Sequence, residues 1–265
     1  MQKVVQALDL WKNQQEEYSM NLHHYAQLSK LFEYPDEEYI NYVNEVKEAL
    51  AIEYPLASNE LEEFLKLLPT GTYDIQELYT KSFEVQAITS LEIGYVLYGD
   101  EYTRGEILAN LSDEHKNVNN ALDGELADHL GNVLRLIPKM QDIPVRDDLV
   151  KLMLGPAIEI MMDEYNPAIM EKKNELYQKQ YKTVIVASFP LVMFVHLFKA
   201  LYIVLDKDFT LLKKEKSFQD ASFFGFLKSE LEVEEGKNSA NGINSCTTFN
   251  VDGTPSSCGS SCGAG

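Results

Sequence analysis

The apolar residues of this chain recur at intervals of three and four along most of its body and nowhere settle into strict alternation. That period is the signature of one buried face on a helix, so the chain has to bury helical stripes against one another. Tyr18, Leu22, Tyr25, Leu28 and Phe32 mark a first helix, ended by Pro35. Asp36, Glu37 and Glu38 suit the positive N-terminus of a second, which carries Tyr39, Val43, Val46 and Leu50. Asn59 with Glu62 reads as a capping box for a third helix with Leu61, Phe64, Leu65 and Leu68, closed by Pro69 and Gly71. Ile75, Leu78, Tyr79 and Phe83 begin another.

Ser90–Gly99 is ambiguous: its aromatic and β-branched residues suit a strand and Gly94 weakens a helix. With no partner strand nearby, helix is the preferred reading. Ile107, Leu108, Leu111 and Val118 predict a helix from about Thr103. Leu126, Leu130, Val133, Leu134 and Ile137 predict one ending near Pro138, and Leu149, Met153, Ala157 and Ile160 another. Two or more helices follow Pro167. The fold class is therefore all-α, a single globular helical bundle with no internal repeat.

The domain expected on this pattern covers residues 16–235, after an N-terminal segment 1–15. The boundary is placed near Leu231–Gly236. The last 30 residues, 236–265, hold six of the 14 glycines, six serines and few large apolar groups. Such a composition cannot offset its ordering entropy and predicts a disordered tail. Between Asp206 and Leu231, the Lys213–Lys216 charge run and the cluster Phe218, Phe223, Phe224 and Phe226 suggest a short docking helix.

Charge narrows the partners. The 265 residues carry 23 Lys and Arg against 42 Asp and Glu, a net −19. Of this, −17 falls in residues 1–150 and −2 in the rest. Nucleic acid is disfavoured, because its binding needs basic groups that displace counterions. Anionic lipid is disfavoured for the same lack of basic clusters. A basic or apolar peptide is the natural partner. Met1 to Tyr18 has no apolar run long enough for a secretory signal, so a cytoplasmic location is expected.

Other chemistries find little support. The three cysteines, Cys246, Cys258 and Cys262, all lie in the tail, which leaves the body without a disulfide or thiol nucleophile. Their C-x11-C-x3-C spacing, without a nearby histidine, lacks a fourth zinc ligand. A metal or thiol carrier remains an alternative built on these three. Thr183–Leu205 is the most apolar segment, but only 16 residues separate Lys182 from Lys199. That is short of the roughly 18–20 needed to span a bilayer. His196, Lys199 and Pro190 add to the argument, and a buried core helix is preferred over stable membrane insertion or a membrane-associated adaptor. His23 and His24 point to different helix faces, His115 reads as a partly exposed helix residue, and His196 as a satisfied core histidine. Glu60, Glu62 and Glu63 look like a solvated face. No nucleophile elbow, zinc-protease helix, phosphate loop or dinucleotide fingerprint occurs, so no enzyme activity and no cofactor are expected.

The centre of the chain carries an ordered set of motifs. Leu31-Phe-Glu-Tyr34-Pro35-Asp36-Glu37 comes first, then Gln76-Glu-Leu-Tyr79-Thr-Lys-Ser-Phe83. Ser90-Leu-Glu-Ile-Gly-Tyr-Val-Leu-Tyr-Gly-Asp100 runs into Glu101-Tyr-Thr-Arg104-Gly105, and Glu125-Leu-Ala-Asp128-His129-Leu130 follows. Together, over about residues 20–165, they resemble the nitrate reductase delta-subunit (NarJ-type) chaperones, relatives of the TorD/DmsD chaperones. The chain departs from that pattern at Ala127 and Gly131, where the family has proline, and at Arg135, where it has glutamate. The Cys-bearing tail lies outside it.

The resemblance implies a cytoplasmic, all-helical chaperone with no covalent chemistry. Such proteins bind the catalytic, molybdenum-binding subunit of a nitrate reductase-like enzyme, notably its N-terminal peptide. They hold it ready for molybdenum cofactor insertion before it docks on its membrane anchor. The partner-binding residues implied are Tyr79, Arg104, Gly105, Asp128, His129 and Leu130. Several also have a plain structural role open to them. Asp128 can cap a helix N-terminus, Arg104 can pair with a neighbouring carboxylate, and Tyr79 can be a core aromatic with its hydroxyl at the surface. His129 can titrate near neutrality, its ordinary pKa being about 6.5.

Overall fold

The computed structural model describes residues 22–122, 124–181 and 191–211, all within one compact unit of the chain. Residues 1–15, the boundary at Leu231–Gly236, the docking helix beyond Leu211, the tail and the three cysteines lie outside the described residues.

The chain is all-α, as its periodicity requires. α1 is His24–Leu28, continued by a 3-10 turn over Ser29–Phe32. α2 is Tyr39–Leu50, α3 Pro55–Leu67, α4 Thr72–Phe83, α5 Ile93–Tyr98 and α6 Tyr102–Asn117. α7 is Leu130–Leu136, followed by a 3-10 turn Ile137–Lys139. α8, Ile143–Asp148, passes through a π-helical segment Leu149–Leu154 into α9, Gly155–Glu164. α10 is Pro167–Tyr181, and α11, Val195–Phe209, follows a 3-10 turn Leu191–Phe194.

α3 packs between α2 and α11, while α9 packs on α11 and α5. Aromatic rings fill the space between them. Phe198 meets Phe32 at 5.4 Å between centroids, Phe194 meets Phe83 at 5.0 Å, and Phe83 meets Tyr79 at 4.9 Å. These edge-on and tilted contacts suit the ring quadrupoles and stabilise beyond simple burial. Of the apolar segment Thr183–Leu205, residues 183–190 lie outside the described residues; its end forms α11, a core helix that buries Leu197, Phe198, Leu201, Val204 and Leu205. No helix among the described residues is long and apolar enough to cross a membrane.

Several local expectations are corrected. α3 starts at Pro55, four residues before Asn59, so Asn59 caps nothing. Proline at the first helical position has its φ already set and has no N–H to leave unsatisfied. Ser90–Gly99 divides: residues 90–92 are outside any helix, with Glu92 extended, and the helix begins at Ile93. Leu126 lies outside the helix predicted to include it and is exposed. The π segment precedes Pro156, whose ring would clash with the carbonyl of an ordinary turn and which has no N–H to bond it; the wider turn accommodates both.

Polar groups pin the ends of the bundle. Asp208, near the end of α11, accepts from Tyr25 Oη at 2.9 Å and Tyr54 Oη at 2.7 Å, and lies 3.0 Å from His24 Nε2. Burial alone would raise this carboxyl, yet the bonds from His24, Tyr54 and Tyr25 hold it below its ordinary range. His196 is half-buried and pairs with Glu60 at 2.7 Å rather than sitting in the core. Glu62 likewise pairs with Lys47 at 2.8 Å. His115, read as partly exposed, is buried. Its Nε2 donates to Ala127 O at 3.0 Å and its Nδ1 accepts from Asn120 at 2.8 Å, which defines a neutral ring.

Candidate functional site

The motif residues converge where two chain segments cross. Ile93 N–H donates to Asp128 O at 2.9 Å, and Leu130 N–H donates to Leu91 O at 2.8 Å. These bonds make an isolated antiparallel bridge between Glu92 and His129. α5 and α7 start side by side immediately after it.

Asp128 does not cap α7. His129 is the N-cap, its Nδ1 accepting from Gly131 N–H at 3.2 Å. Asp128 is fully buried and turns its carboxylate toward α6, where Arg104 Nε meets Oδ2 at 3.2 Å. Arg104 also reaches Asp100 at 3.3 Å and lies over the Tyr95 ring at 5.0 Å. Oδ1 of Asp128 has no hydrogen-bond partner. Burial therefore outweighs Arg104, and the Asp128 carboxyl titrates above its ordinary range. Gly94 makes the knot possible: a Cβ there would stand 2.7 Å from Asp128 Oδ2. Gly105, by contrast, faces open space.

Two of the other implied partner residues face inward as well. Leu130 is in the core. Tyr79 is also buried, and its hydroxyl donates to Phe32 O at 2.9 Å instead of reaching the surface. Burial, then the charges around it, push that hydroxyl far above its ordinary range. His129 is nearly enclosed, and burial holds it below its ordinary value despite the nearby carboxylates Glu125 and Glu92. A ring kept neutral accepts from Gly131 N–H through Nδ1; protonation would forfeit that cap.

What faces outward is a different set, which the motifs contained but the sequence reasoning did not single out. Glu84, Glu92 and Glu125 all lie within electrostatic reach of Tyr79, and none forms an ion pair among the described residues. Glu92 accepts from Ser90 Oγ and Glu84 from Thr80 Oγ1. Exposed apolar residues stand beside them: Val85 and Leu126 in sequence, and Tyr34, whose ring lies 5.4 Å from that of Tyr79. The usable signal was adjacency, since Glu92 and Glu125 each stand three residues or fewer from a motif position that is buried.

The loop bearing Glu125 is held from below. Asn132 Nδ2 donates to Leu122 O and Leu126 O, at 3.2 and 2.8 Å. Asn120 bridges His115 and Asn132 O, and accepts from Lys139 at 2.6 Å. Satisfied networks of this kind fix one loop conformation. Among the described residues, no group of three or more His, Cys, Asp and Glu is arranged to hold a metal. The chain matches no family model, and no curated protein matches it.

Proposed function

We propose that this protein is a chaperone of the nitrate reductase delta-subunit type. It binds the molybdenum-binding catalytic subunit of a nitrate reductase-like enzyme through that subunit's N-terminal peptide. It holds this client ready for cofactor insertion before membrane docking, and carries out no covalent chemistry itself. The observation that carries the reading is the junction of the two motif segments. There the pair of Arg104 with the buried Asp128 anchors a surface of three glutamates that form no ion pair among the described residues, beside exposed apolar side chains.

Such a surface suits an amphipathic peptide helix with basic residues beside an apolar face. Charge pairing at its rim speeds encounter and sharpens discrimination more than it adds affinity. The experiment is purification of the tagged full chain from its native cell, identification of the large subunit that follows it, and calorimetry with that subunit's N-terminal peptide. Micromolar or tighter binding, about −8 kcal/mol or better, that weakens with salt supports the reading. Absence of any molybdenum-binding subunit, together with normal enzyme maturation in a deletion strain, overturns it.

A further inference from the structure

α10 joins the bundle in an unusual way. α2, α3 and α11 bury apolar stripes, whereas from Pro167 to Lys179 the only buried side chains are Lys173 and Tyr177, one turn apart on one face. Both end on the same short segment. Lys173 Nζ donates to Ile88 O, and Tyr177 Oη donates to Ala87 O at 3.2 Å. Glu164, at the end of α9, pairs with the same ammonium, and both charges are buried. A cavity of about 40 Å³ lined by Ile88, Met170, Lys173, Asn174 and Leu191 leaves the apolar packing at this joint incomplete. Polar bonds therefore carry much of the attachment of α10 to Ala87 and Ile88.

The segment held in this way is the loop 84–92 between α4 and α5. Glu84 N–H and Val85 N–H donate to Thr80 O, and Ile88 N–H and Thr89 N–H donate to Ser82 O, so the loop doubles back on the end of α4. Between these two pairs Gln86 takes φ +50°, a left-handed backbone that a non-glycine residue keeps only where its surroundings hold it. Ala87 through Ser90 are buried, while Glu84 and Val85 are exposed on the candidate surface. A buried Lys–Glu pair adds little net stability over apolar side chains of similar volume. What Lys173 adds is a donor fixed at one carbonyl of this loop.

We propose that α10 is a clamp on the client-facing loop, with Lys173 and Tyr177 as its positioning residues. They hold Ile88 O and Ala87 O from behind, and so fix Glu84 and Val85 where the client peptide meets them, given the reading of that surface as the client site. Neither residue touches the client. Their effect passes through the backbone of the loop, which without the two bonds is free to relax the left-handed turn at Gln86 and carry Glu84 and Val85 away from Glu92 and Glu125. A loop fixed in advance spares the peptide the cost of ordering it on binding.

Hydrogen exchange in the full chain tests the clamp. Tyr177→Phe removes one bond. Glu164→Leu with Lys173→Met removes the other while replacing the buried pair by apolar groups of similar size. With all three changes the amides of Ile88 and Thr89 should exchange about tenfold faster, while that of Val46 in α2 changes far less. Tyr177→Phe alone, the mildest change, should speed the loop in the same direction. Loop rates that stay at the parent's, or a rise shared equally by Val46, overturn the clamp. The second arm measures affinity and dissociation rate for the N-terminal peptide of the co-purified subunit. The unclamped chain should bind it about tenfold more weakly, through faster dissociation, and Val85→Ser should cost less in that background than in the parent. Faster loop exchange with unchanged peptide affinity, or a Val85→Ser cost identical in both backgrounds, overturns the positioning role. A parent chain that binds no such peptide overturns the client reading and the positioning role with it, and slow loop exchange in that same chain distinguishes this from failure of the clamp.

Discussion

Gly94→Ala tests the knot beneath the candidate site. A methyl group at this position would stand 2.7 Å from Asp128 Oδ2 and 3.4 Å from Arg104 Cγ. The carboxylate must retreat by about 0.7 Å to reach an ordinary contact. It has little room to do so, being fully buried with its Arg104 bond already at 3.2 Å. Losing a hydrogen bond between charged groups costs about 1.5–3 kcal/mol. Alanine returns up to about 1 kcal/mol through its better helix propensity. The net is a destabilisation of about 1 kcal/mol, or a Tm lower by about 2–4 °C for a body of this size. Gly105→Ala, also in a helix but facing open space, should raise Tm by about 2–4 °C. Thermal unfolding followed by circular dichroism reads both. The decisive arm repeats Gly94→Ala in an Asp128→Ala background, where the methyl group has space and the substitution should no longer destabilise. A Gly94→Ala protein as stable as the parent, or equally weakened without the Asp128 carboxylate, refutes the reasoning.

Burial holds both His115 and His129 below their ordinary range, so the unfolded chain binds more protons as pH falls. Their stabilisation is complete above about pH 6.5 and is lost as pH drops through the folded values, with a slope of at most about 3 kcal/mol per pH unit. Urea midpoints should fall across that window, and His115→Gln with His129→Asn should flatten the fall. Glu164 and Lys173 form a fully buried pair, with burial pushing the lysine down to about 8. Glu164→Leu alone should cost about 3–5 kcal/mol in chemical denaturation, and adding Lys173→Met should restore most of it. Asp208→Ala strands the hydroxyls of Tyr25 and Tyr54 and should lower stability by about 3 kcal/mol, whereas Asp208→Asn, which keeps an acceptor, should lose less.

The buried stripes were legible because period is a local property. Tyr25, Leu28, Phe32, Val43, Leu61, Phe64, Leu78 and Phe83 are all in the core. The polar pairings were not legible, since nothing in the sequence near Tyr54 points to Asp208, 154 residues away, or near Glu60 to His196. Leu126 has helical spacing from Leu130, yet stays outside α7 because residues 126–129 must turn to run beside Leu91–Ile93. Burial at the candidate site was not legible either. Tyr79, Arg104, Asp128 and Leu130 stand out in the motifs, but they are residues whose side chains the fold consumes. Loss of client binding in Asp128→Ala would therefore report only that the two crossing segments had come apart. Charge reversal at Glu92 and Glu125 asks the functional question, because neither carboxylate is tied into an ion pair among the described residues. If Glu92→Lys and Glu125→Lys leave the thermal midpoint in place and weaken peptide binding, the acidic surface is the contact. If they leave binding intact, the carboxylates of Glu92 and Glu125 have no part in client recognition.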